Sequence, residues 1–382
     1  MHEDPYPTYA RMRDEVPVYR NEEQDFWAFS RHSDVLGAFR DSELFSSGNG
    51  PFLDPMSWGP KAARHMSFVA MDPPEHTRTR GLVARAFTQR RVNELAPRIR
   101  RIAARHADAA LQAGTFDLVA DFAARVPADV ISELAGVPEG DRAELSGLIN
   151  RVTTRSDAVH DITPDGAQAG IRLLTYLHEH VVARRSSRTR PDDLTSALIE
   201  AADADDRLGD EEITAVLSLL IGAGNETTTH LIGNAWHAAG RDPAVRAEVL
   251  GGRVGDWVEE TLRYDSPAQS MARTLTGGTD LHGVRLPAGA RILLLVGAAN
   301  RDGDVFPDPD RFDLDRDRSG FVPFGNGRHF CLGAPLARME ARIALTELAS
   351  RVTDYAIDPA RTTRTRSPTV RGFRALWTTV KR

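Results

Sequence analysis

Apolar residues along this chain fall on a helical period over long stretches and on a strand period over few. From 93 to 113, Leu95, Ile99, Ile102, Ala103 and Ala110 line one face of a predicted helix. From 166 to 184, Ala169, Ile171, Leu173, Leu174, Leu177 and Val181 do the same. Asp210 is placed to cap a long helix from Glu211 to about Ala239. Helical patterning is densest between about residues 89 and 265 and resumes after residue 331. Ala334 to Leu345 reads as a helix with Pro335 in its first turn. Strand signals are sparse and cluster near Pro17–Arg20, Phe26–Phe29, Thr274–Leu286 and Arg291–Val296, with a turn around His282 and Gly283. There is no internal repeat, low-complexity linker or clean boundary. The expectation is a mainly α fold with small peripheral β-sheets, one helix-rich domain over residues 1–382.

Composition narrows the functional classes. A single domain of 382 residues buries roughly 75% of its unfolded surface and has room for a cofactor-sized cavity. A formal charge of −6 argues against nucleic acid as the main partner. The opening Met1–Ala10 is polar and broken by proline, unlike a secretory signal. The apolar run Ile292–Ala299 is far shorter than the roughly 20 residues that span a bilayer. A soluble, cytoplasmic protein with no membrane partner is expected.

The only cysteine, Cys331, sits in Pro323-Phe-Gly-Asn-Gly-Arg-His-Phe-Cys-Leu-Gly-Ala-Pro-Leu-Ala-Arg338. A lone thiol makes no internal disulfide and no multi-thiolate zinc site, leaving a nucleophile or a ligand to a group the chain does not encode. Gly325, Gly327 and Gly333 let backbone turn tightly and approach a flat partner. The following helix places its N-terminus near the sulfur, which favours thiolate over thiol. A buried, inert cysteine at a loop-to-helix junction is the plain alternative. The string Phe324-Gly-x-Gly-x-His329-x-Cys331-x-Gly333 resembles the haem-ligand loop of the cytochrome P450 family. The resemblance extends over nearly the whole chain and implies the family's helix-rich fold enclosing haem b (iron protoporphyrin IX), with Cys331 as the metal ligand. A thiolate axial ligand pushes electron density onto iron and favours O–O bond cleavage.

Three further constellations match the family. In Leu219-Leu-Ile-Gly-Ala-Gly-Asn-Glu-Thr-Thr-Thr229, two glycines and a threonine run oppose helix propensity by several tenths to about 1 kcal/mol each. Such a violation points to a functional distortion, although a kinked core helix with a back-bonded threonine would carry the same letters. Ala223, Gly224, Glu226 and Thr227 match the family's oxygen-activation motif. There Glu226 and Thr227 supply an acid and a hydroxyl for proton delivery, and the small residues admit the ring. Asn225 falls at a variable family position that is often histidine or apolar. Glu260 and Arg263, at i and i+3, share a helix face. They match a buried family pair that is joined by an arginine, a place Arg311 fits, and that holds the cysteine loop. His76, Arg80, Arg273 and His329 match residues that neutralise the two haem propionates, for which arginine's paired donors are suited. Taken singly, Arg80 or Arg273 reads as a solvated arginine.

Arg78, Arg85, Arg90, Arg91, Arg328, Arg338 and Arg342 crowd segments expected on the cysteine side, either as a docking patch for an acidic electron carrier or as scattered solubilising charges. No flavin or iron–sulfur segment is present, so electrons are expected from a ferredoxin or flavodoxin with its reductase. By resemblance, the loop Gly48–Met71, residues near 150–175, the helix ahead of Ala223, Ala268–Met271 and a turn near Val370–Phe373 line the substrate cavity. Phe52, Leu53, Met56, Trp58, Met66 and Phe68 make that loop a hydrophobic lid or, equally, ordinary core. The implied activity is a monooxygenase acting with dioxygen on a medium-sized hydrophobic molecule, such as a polyketide, terpenoid, steroid or modified aromatic, free or carrier-bound. It would hydroxylate or epoxidise its substrate in secondary metabolism or catabolism. Two alternatives are peroxide-driven chemistry, against which the Glu226–Thr227 pair argues, and a silent recruiting homologue, against which Cys331 argues.

Overall fold

The computed structural model describes residues 3–54, 57–153, 155–156, 159–205 and 208–382. Met56 of the expected lid lies outside the described residues, as do Met1 and His2 and three positions in the 150–175 stretch. The helices that matter for the site are α1 (Tyr6–Glu15), α2 (Glu75–Ala86), α3 (Ala96–Leu111), α4 (Pro164–Ser186), α5 (Asp210–Arg241), α6 (Val254–Tyr264) and α7 (Ala334–Ala349). Most of the periodic reading holds. Ile99, Ile102, Ala103 and Ala110 are buried on α3, but Leu95 falls in the break ahead of it, because Pro97 is suited only to a first helical turn. On α4 the buried stripe is Ala169, Leu173, Leu177 and Val181, an unbroken i, i+4 series. Ile171, half a turn away from that stripe, is 67% exposed. The hydroxyl of Thr163 caps this helix by accepting from the Gly166 N–H. Among the described residues no helix is long and apolar enough to cross a membrane.

The largest sheet has five strands: β1 (Val18–Asn21), β2 (Phe26–Phe29), β3 (Phe45–Ser46), β5 (Met271–Leu275) and β6 (Arg291–Leu294), in the order β1-β2-β6-β5-β3. Only the β6–β2 pairing is parallel. Its apolar face packs on Val35, Phe39, Val296 and Val322. A second sheet joins β4 (Thr115–Asp117), β7 (Asp354–Ile357) and β9 (Trp377–Lys381), with the short β8 (Phe373–Ala375) nearby in sequence. The strand signals along the chain pointed to the first sheet and not to the second. The strand signal over 274–286 resolves into three short strands, Met271–Leu275, Thr279–Leu281 and Val284–Leu286, the last two paired across the expected turn at His282 and Gly283.

By proximity the chain divides into two compact units. One comprises Met1–Ser46, Ile99–Val126 and Thr227–Arg382; the other comprises Ser47–Arg98 and Pro127–Glu226. The first contains both sheets, the second half of α5, α6 and α7. The second contains α2, α4 and the first half of α5.

Candidate active site

Cys331 lies in a loop whose shape is set by backbone constraints. Gly325 and Gly327 have φ of 69° and 68°, a region that side chains oppose. A Cβ on Gly327 would also stand 2.5 Å from the Phe39 carbonyl oxygen, so no other residue fits there without moving the backbone. Asn326 Oδ1 accepts from the Gly327 N–H at 2.9 Å and from Arg40 Nε at 3.2 Å. The Cys331 N–H donates to the Phe324 carbonyl at 3.0 Å, closing the loop just ahead of α7. The thiol-bearing residue ends up exposed, three residues before Ala334, beside the positive N-terminal end of a sixteen-residue helix. Gly333 has an ordinary helical φ, and a Cβ there would only touch the sulfur, at 3.9 Å; its value is space near Sγ. His329 closes a short 3-10 turn from Gly327 and is half-buried.

Beneath the loop is a buried ion network. Glu260 and Arg263, both with side chains fully buried, meet through Nη2–Oε1 at 2.7 Å and Nε–Oε2 at 3.0 Å. Arg263 also donates to the carbonyls of Asn300, Pro309 and Arg311. Burial pulls its pKa below the ordinary arginine value, and Glu260 opposes that shift. The third cation is a correction to the expectation from sequence. The Arg311 side chain is 70% exposed and reaches only Asp313, at 3.6 Å. Arg316, 6% exposed, places Nε 3.3 Å from Glu260 Oε1 and donates to the carbonyls of Pro307, Asp308 and Arg311. Arg311 therefore serves the network through its backbone. Asn300, which sequence reasoning missed, carries the network to the cysteine segment. Its carbonyl accepts from Arg263, and its Oδ1 accepts from the Val322 N–H at 2.7 Å, nine residues before Cys331.

Arg273, on β5, is 5% exposed, and its guanidinium lies over the Phe39 ring at 5.5 Å. A Cβ on Gly325 would contact the same ring at 3.7 Å. Phe39, a second missed residue, thus joins Arg273 to the cysteine loop. Phe324 is half-buried under the Arg338 guanidinium, 4.5 Å from its ring. Arg338 and Arg342 both pair with Glu259, which ties α7 to α6.

In the other unit, His76 and Arg80 share a face of α2 as their spacing requires. His76 is 3% exposed, and Arg80 is half-buried, 5.9 Å above the Phe68 ring. The helix α5 runs from Asp210 to Arg241 through Gly222 and Gly224 without a break; glycine costs stability there without ending the helix. The small residues have a different effect. Ile213, Val216, Leu217 and Ile221 are fully buried earlier on α5. Leu219, Leu220, Gly222, Ala223, Glu226 and Thr227, at three- and four-residue steps, stay partly or fully open. A Cβ at Gly222 would meet nothing within 4 Å, and one at Gly224 would meet only Ile131, at 3.6 Å. This is a low, smooth helix face on which a planar group can lie, with an acid and a hydroxyl at its end. Within the first unit, an exposed thiol in a constrained loop with a buried arginine beside that loop is a donor set whose chemistry fits a haem.

Other expectations fare unevenly. Phe52, Leu53, Trp58 and Met66 are half-buried, whereas Phe68 is core. Ala268–Met271 and the late turn do meet, through an Ala268–Val370 bridge and the Gln269 N–H on the Thr369 carbonyl. Of the arginines proposed as a docking patch, Arg78, Arg90, Arg91, Arg338 and Arg342 each have a carboxylate partner, which weakens that reading.

Comparison with known proteins agrees with this geometry. The family model described as Cytochrome P450 matches residues 255–353, the stretch that contains Glu260, Arg263, Arg273 and Cys331. "Putative cytochrome P450 123" of Mycobacterium tuberculosis is 49% identical over 97% of this chain and 93% of its own length. "Cytochrome P450 monooxygenase PikC" of Streptomyces venezuelae is 39% identical over 98% and 90%. Among solved structures, cytochrome P450 CYP109Q5 from Chondromyces apiculatus superposes with a TM-score of 0.90 at 34% identity, covering 99% of this chain and 95% of that one. The chain belongs to the cytochrome P450 family, and it is an oxidoreductase of that family's monooxygenase type.

Proposed function

We propose that this protein is a haem b monooxygenase that hydroxylates or epoxidises a medium-sized hydrophobic molecule in natural-product metabolism or catabolism, with residues 1–382 acting as one domain. The observation that carries this reading is Cys331. Its thiol is exposed in a loop that Gly325 and Gly327 shape and that Asn300 anchors to the Glu260–Arg263 pair. Cys331 would give the thiolate ligand; Phe324, Gly325 and Gly333 would shape its surroundings; Ala223 and Gly224 would flank the ring. His76, Arg80, Arg273 and His329 would hold the propionates, since a buried carboxylate must be paired. When bound, the haem supplies activation of dioxygen. The chain's own part is to bring substrate close and move protons: the Glu226 carboxyl takes them from solvent, and the Thr227 hydroxyl passes them on.

Names of relatives support this substrate range without fixing it. A "Vitamin D(3) 25-hydroxylase" of Pseudonocardia autotrophica is 40% identical, and "Cyclomarin C epoxidase CymV" of Salinispora arenicola is 38% identical. One structural neighbour, P450BioI, was solved with a fatty acid carried on acyl carrier protein, so a carrier-bound substrate belongs within the proposal. Electrons would come from a ferredoxin or flavodoxin with its reductase, and the site of action would be the cytoplasm. The test has two readouts. The carbon monoxide difference spectrum of the reduced protein should show the long-wavelength Soret band of thiolate ligation; a band typical of histidine ligation would remove Cys331 from its role. Thr227→Ala should keep that band while diverting reducing equivalents to hydrogen peroxide. Unchanged coupling of electron use to product would remove Thr227 from proton transfer.

A further inference from the structure

A cleft of about 910 Å3 opens at the C-terminal end of α5, within the unit that contains both sheets. None of its lining residues is among those assigned above to haem. Arg241, at its rim, lies fourteen residues beyond Thr227, roughly 21 Å along the helix axis. The rim at Arg241 is therefore distant from the Glu226–Thr227 pair, while Arg371 and Phe373, deeper in the cleft, belong to the turn expected to line the substrate cavity.

Its floor is an unusual concentration of buried guanidinium groups. Asp265 accepts from the Tyr6 hydroxyl at 2.7 Å, from Arg371 Nε at 2.6 Å and from Arg364 Nη1 at 3.1 Å. Burial alone would raise the Asp265 pKa, but the two arginines prevail and hold it well below the usual carboxylate range. A third guanidinium, Arg301, is clamped between the rings of Tyr6 and Tyr264, 3.4 and 3.6 Å from their centroids. The side chains of Arg301, Arg364 and Arg371 are only 6%, 11% and 8% exposed. Arg364 and Arg371 thus share one buried carboxylate whose two oxygens are both engaged, while Arg301 pairs with Asp310, whose side chain is 70% exposed. Arg364 donates through Nη1 alone, and Arg301 through Nε and Nη1, so Nε and Nη2 of Arg364 and Nη2 of Arg301 have no acceptor among the described residues. At the rim, Arg241 makes neither an ion pair nor a side-chain hydrogen bond among the described residues, and Arg311 has only its long contact to Asp313. Part of the wall is apolar: the half-buried His237 ring lies on the buried Phe373 at 4.6 Å, with Ile357 and Pro359 beside it, while the Arg364 guanidinium stands 3.8 Å from the Phe373 ring centre. Opposing charge is present but poorly placed. Glu3 and Asp4 stand exposed at the lip, where salt screens them, Asp310 pairs with Arg301 from a side chain 70% exposed, and Asp242 is engaged in capping the next helix at Ala244 and Val245. The C-terminal dipole of α5 also disfavours an anion. It is a partial charge against several whole ones.

We propose that this cleft is a second ligand site, which takes a small organic anion: a phosphate or carboxylate on a flat apolar body. The anionic oxygens pair with Arg241, Arg364 and Arg301, where guanidinium geometry suits them, and the flat body lies along His237 and Ile357. The test is calorimetric titration of the haem-loaded protein, at low ionic strength in chloride buffer, with phenyl phosphate, benzoate and inorganic phosphate in separate runs. One aryl anion should bind saturably and at least about tenfold more tightly than inorganic phosphate, with no change in the haem Soret band. Which aryl probe binds better identifies the headgroup. Arg241→Ala should weaken that binding about tenfold, and Asp4→Asn should tighten it severalfold. Both changes are on the surface, so misfolding does not obscure the result. No saturable binding by any probe would overturn the proposal, as would equal affinity in Arg241→Ala. A Soret shift that survives in Arg241→Ala would place the probe at the haem instead and would also overturn it.

Discussion

Two buried arginine–carboxylate clusters stand five residues apart in one segment, yet they solve different problems. Around Glu260, the five N–H donors of Arg263 meet five acceptors: both oxygens of Glu260 and the carbonyls of Asn300, Pro309 and Arg311. Nothing is left over, and nothing is exposed. Around Asp265, two guanidinium groups share one carboxylate, a third, Arg301, pairs with the exposed Asp310, and donors remain that face a cleft. The contrast separates a structural network from a surface suited to a ligand. A closed count of donors and acceptors fixes a loop, whereas a surplus of donors at a cavity wall invites an anion. A third buried carboxyl, Glu340 on α7, completes the series. Among the described residues no arginine pairs with it, and its Oε2 has no hydrogen-bond partner.

Breaking the closed cluster should have the largest effect. Glu260→Ala leaves Arg263 and Arg316 without their carboxylate in a place water does not reach. Removing one partner of a buried pair costs about 3–5 kcal/mol. The loss should pass through Asn300 to the cysteine segment, so denaturant unfolding and haem content should fall together. A cost below about 1 kcal/mol would mean the network is not the anchor the contacts describe.

Glu340 sharpens the comparison from the other side. With burial and no cation, its carboxyl is pushed well above the usual glutamate range and stays protonated in the folded protein. The unfolded chain ionises near the ordinary value of 4.5, so the folded state holds the extra proton at higher pH. Stability is therefore favoured below that value and declines as pH rises through the folded pKa, the reverse of Asp265. Glu340→Gln removes the ionisation and should raise stability at neutral pH by about 1–2 kcal/mol, with a flatter profile between pH 5 and 8 than the parent. Denaturant midpoints across that range decide it. Parallel profiles would mean that Glu340 is solvated or paired in solution.

These clusters also show where sequence reading succeeds. Cys331, Gly325 and Gly327 were legible because identity and spacing mark them: a thiol beside a helix start, and φ values that favour glycine. The helices α4, α5 and α7 were legible because long amphipathic or capped stretches repeat their signal over many turns. The second sheet was not, because strands of three to five residues hold too little alternation to register. Asn300 and Phe39 escaped because each acts through partners far along the chain, and an asparagine at the end of an apolar run has no local mark of what it will bond. Asp265, Arg364 and Arg371 escaped for the same reason: residues 99 and 106 positions from Asp265 become its ion-pair partners only once folded.

The choice between Arg311 and Arg316 is the finest case, since both occur within six residues of an Asp- and Pro-rich segment that has no period to order them. The motif Phe306-Pro-Asp-Pro-Asp-Arg311 favours the first; the folded chain brings the second to Glu260. Backbone and side chain divide the work: Arg311 offers its carbonyl to both Arg263 and Arg316, which any residue at that position could do. Its own guanidinium, 70% exposed, has a single contact at 3.6 Å. Exposed pairs of that length contribute little, so Arg311→Ala should move the unfolding free energy by no more than about 0.5 kcal/mol. Arg316→Ala removes a cation 6% exposed that binds Glu260 and three carbonyls, and should cost several times more, in the direction of Glu260→Ala. Denaturant unfolding of the two variants side by side tests the assignment. If Arg311→Ala proved the more damaging, the exposed guanidinium would have to turn inward in solution, and the five-for-five closure around Arg263 would be incomplete.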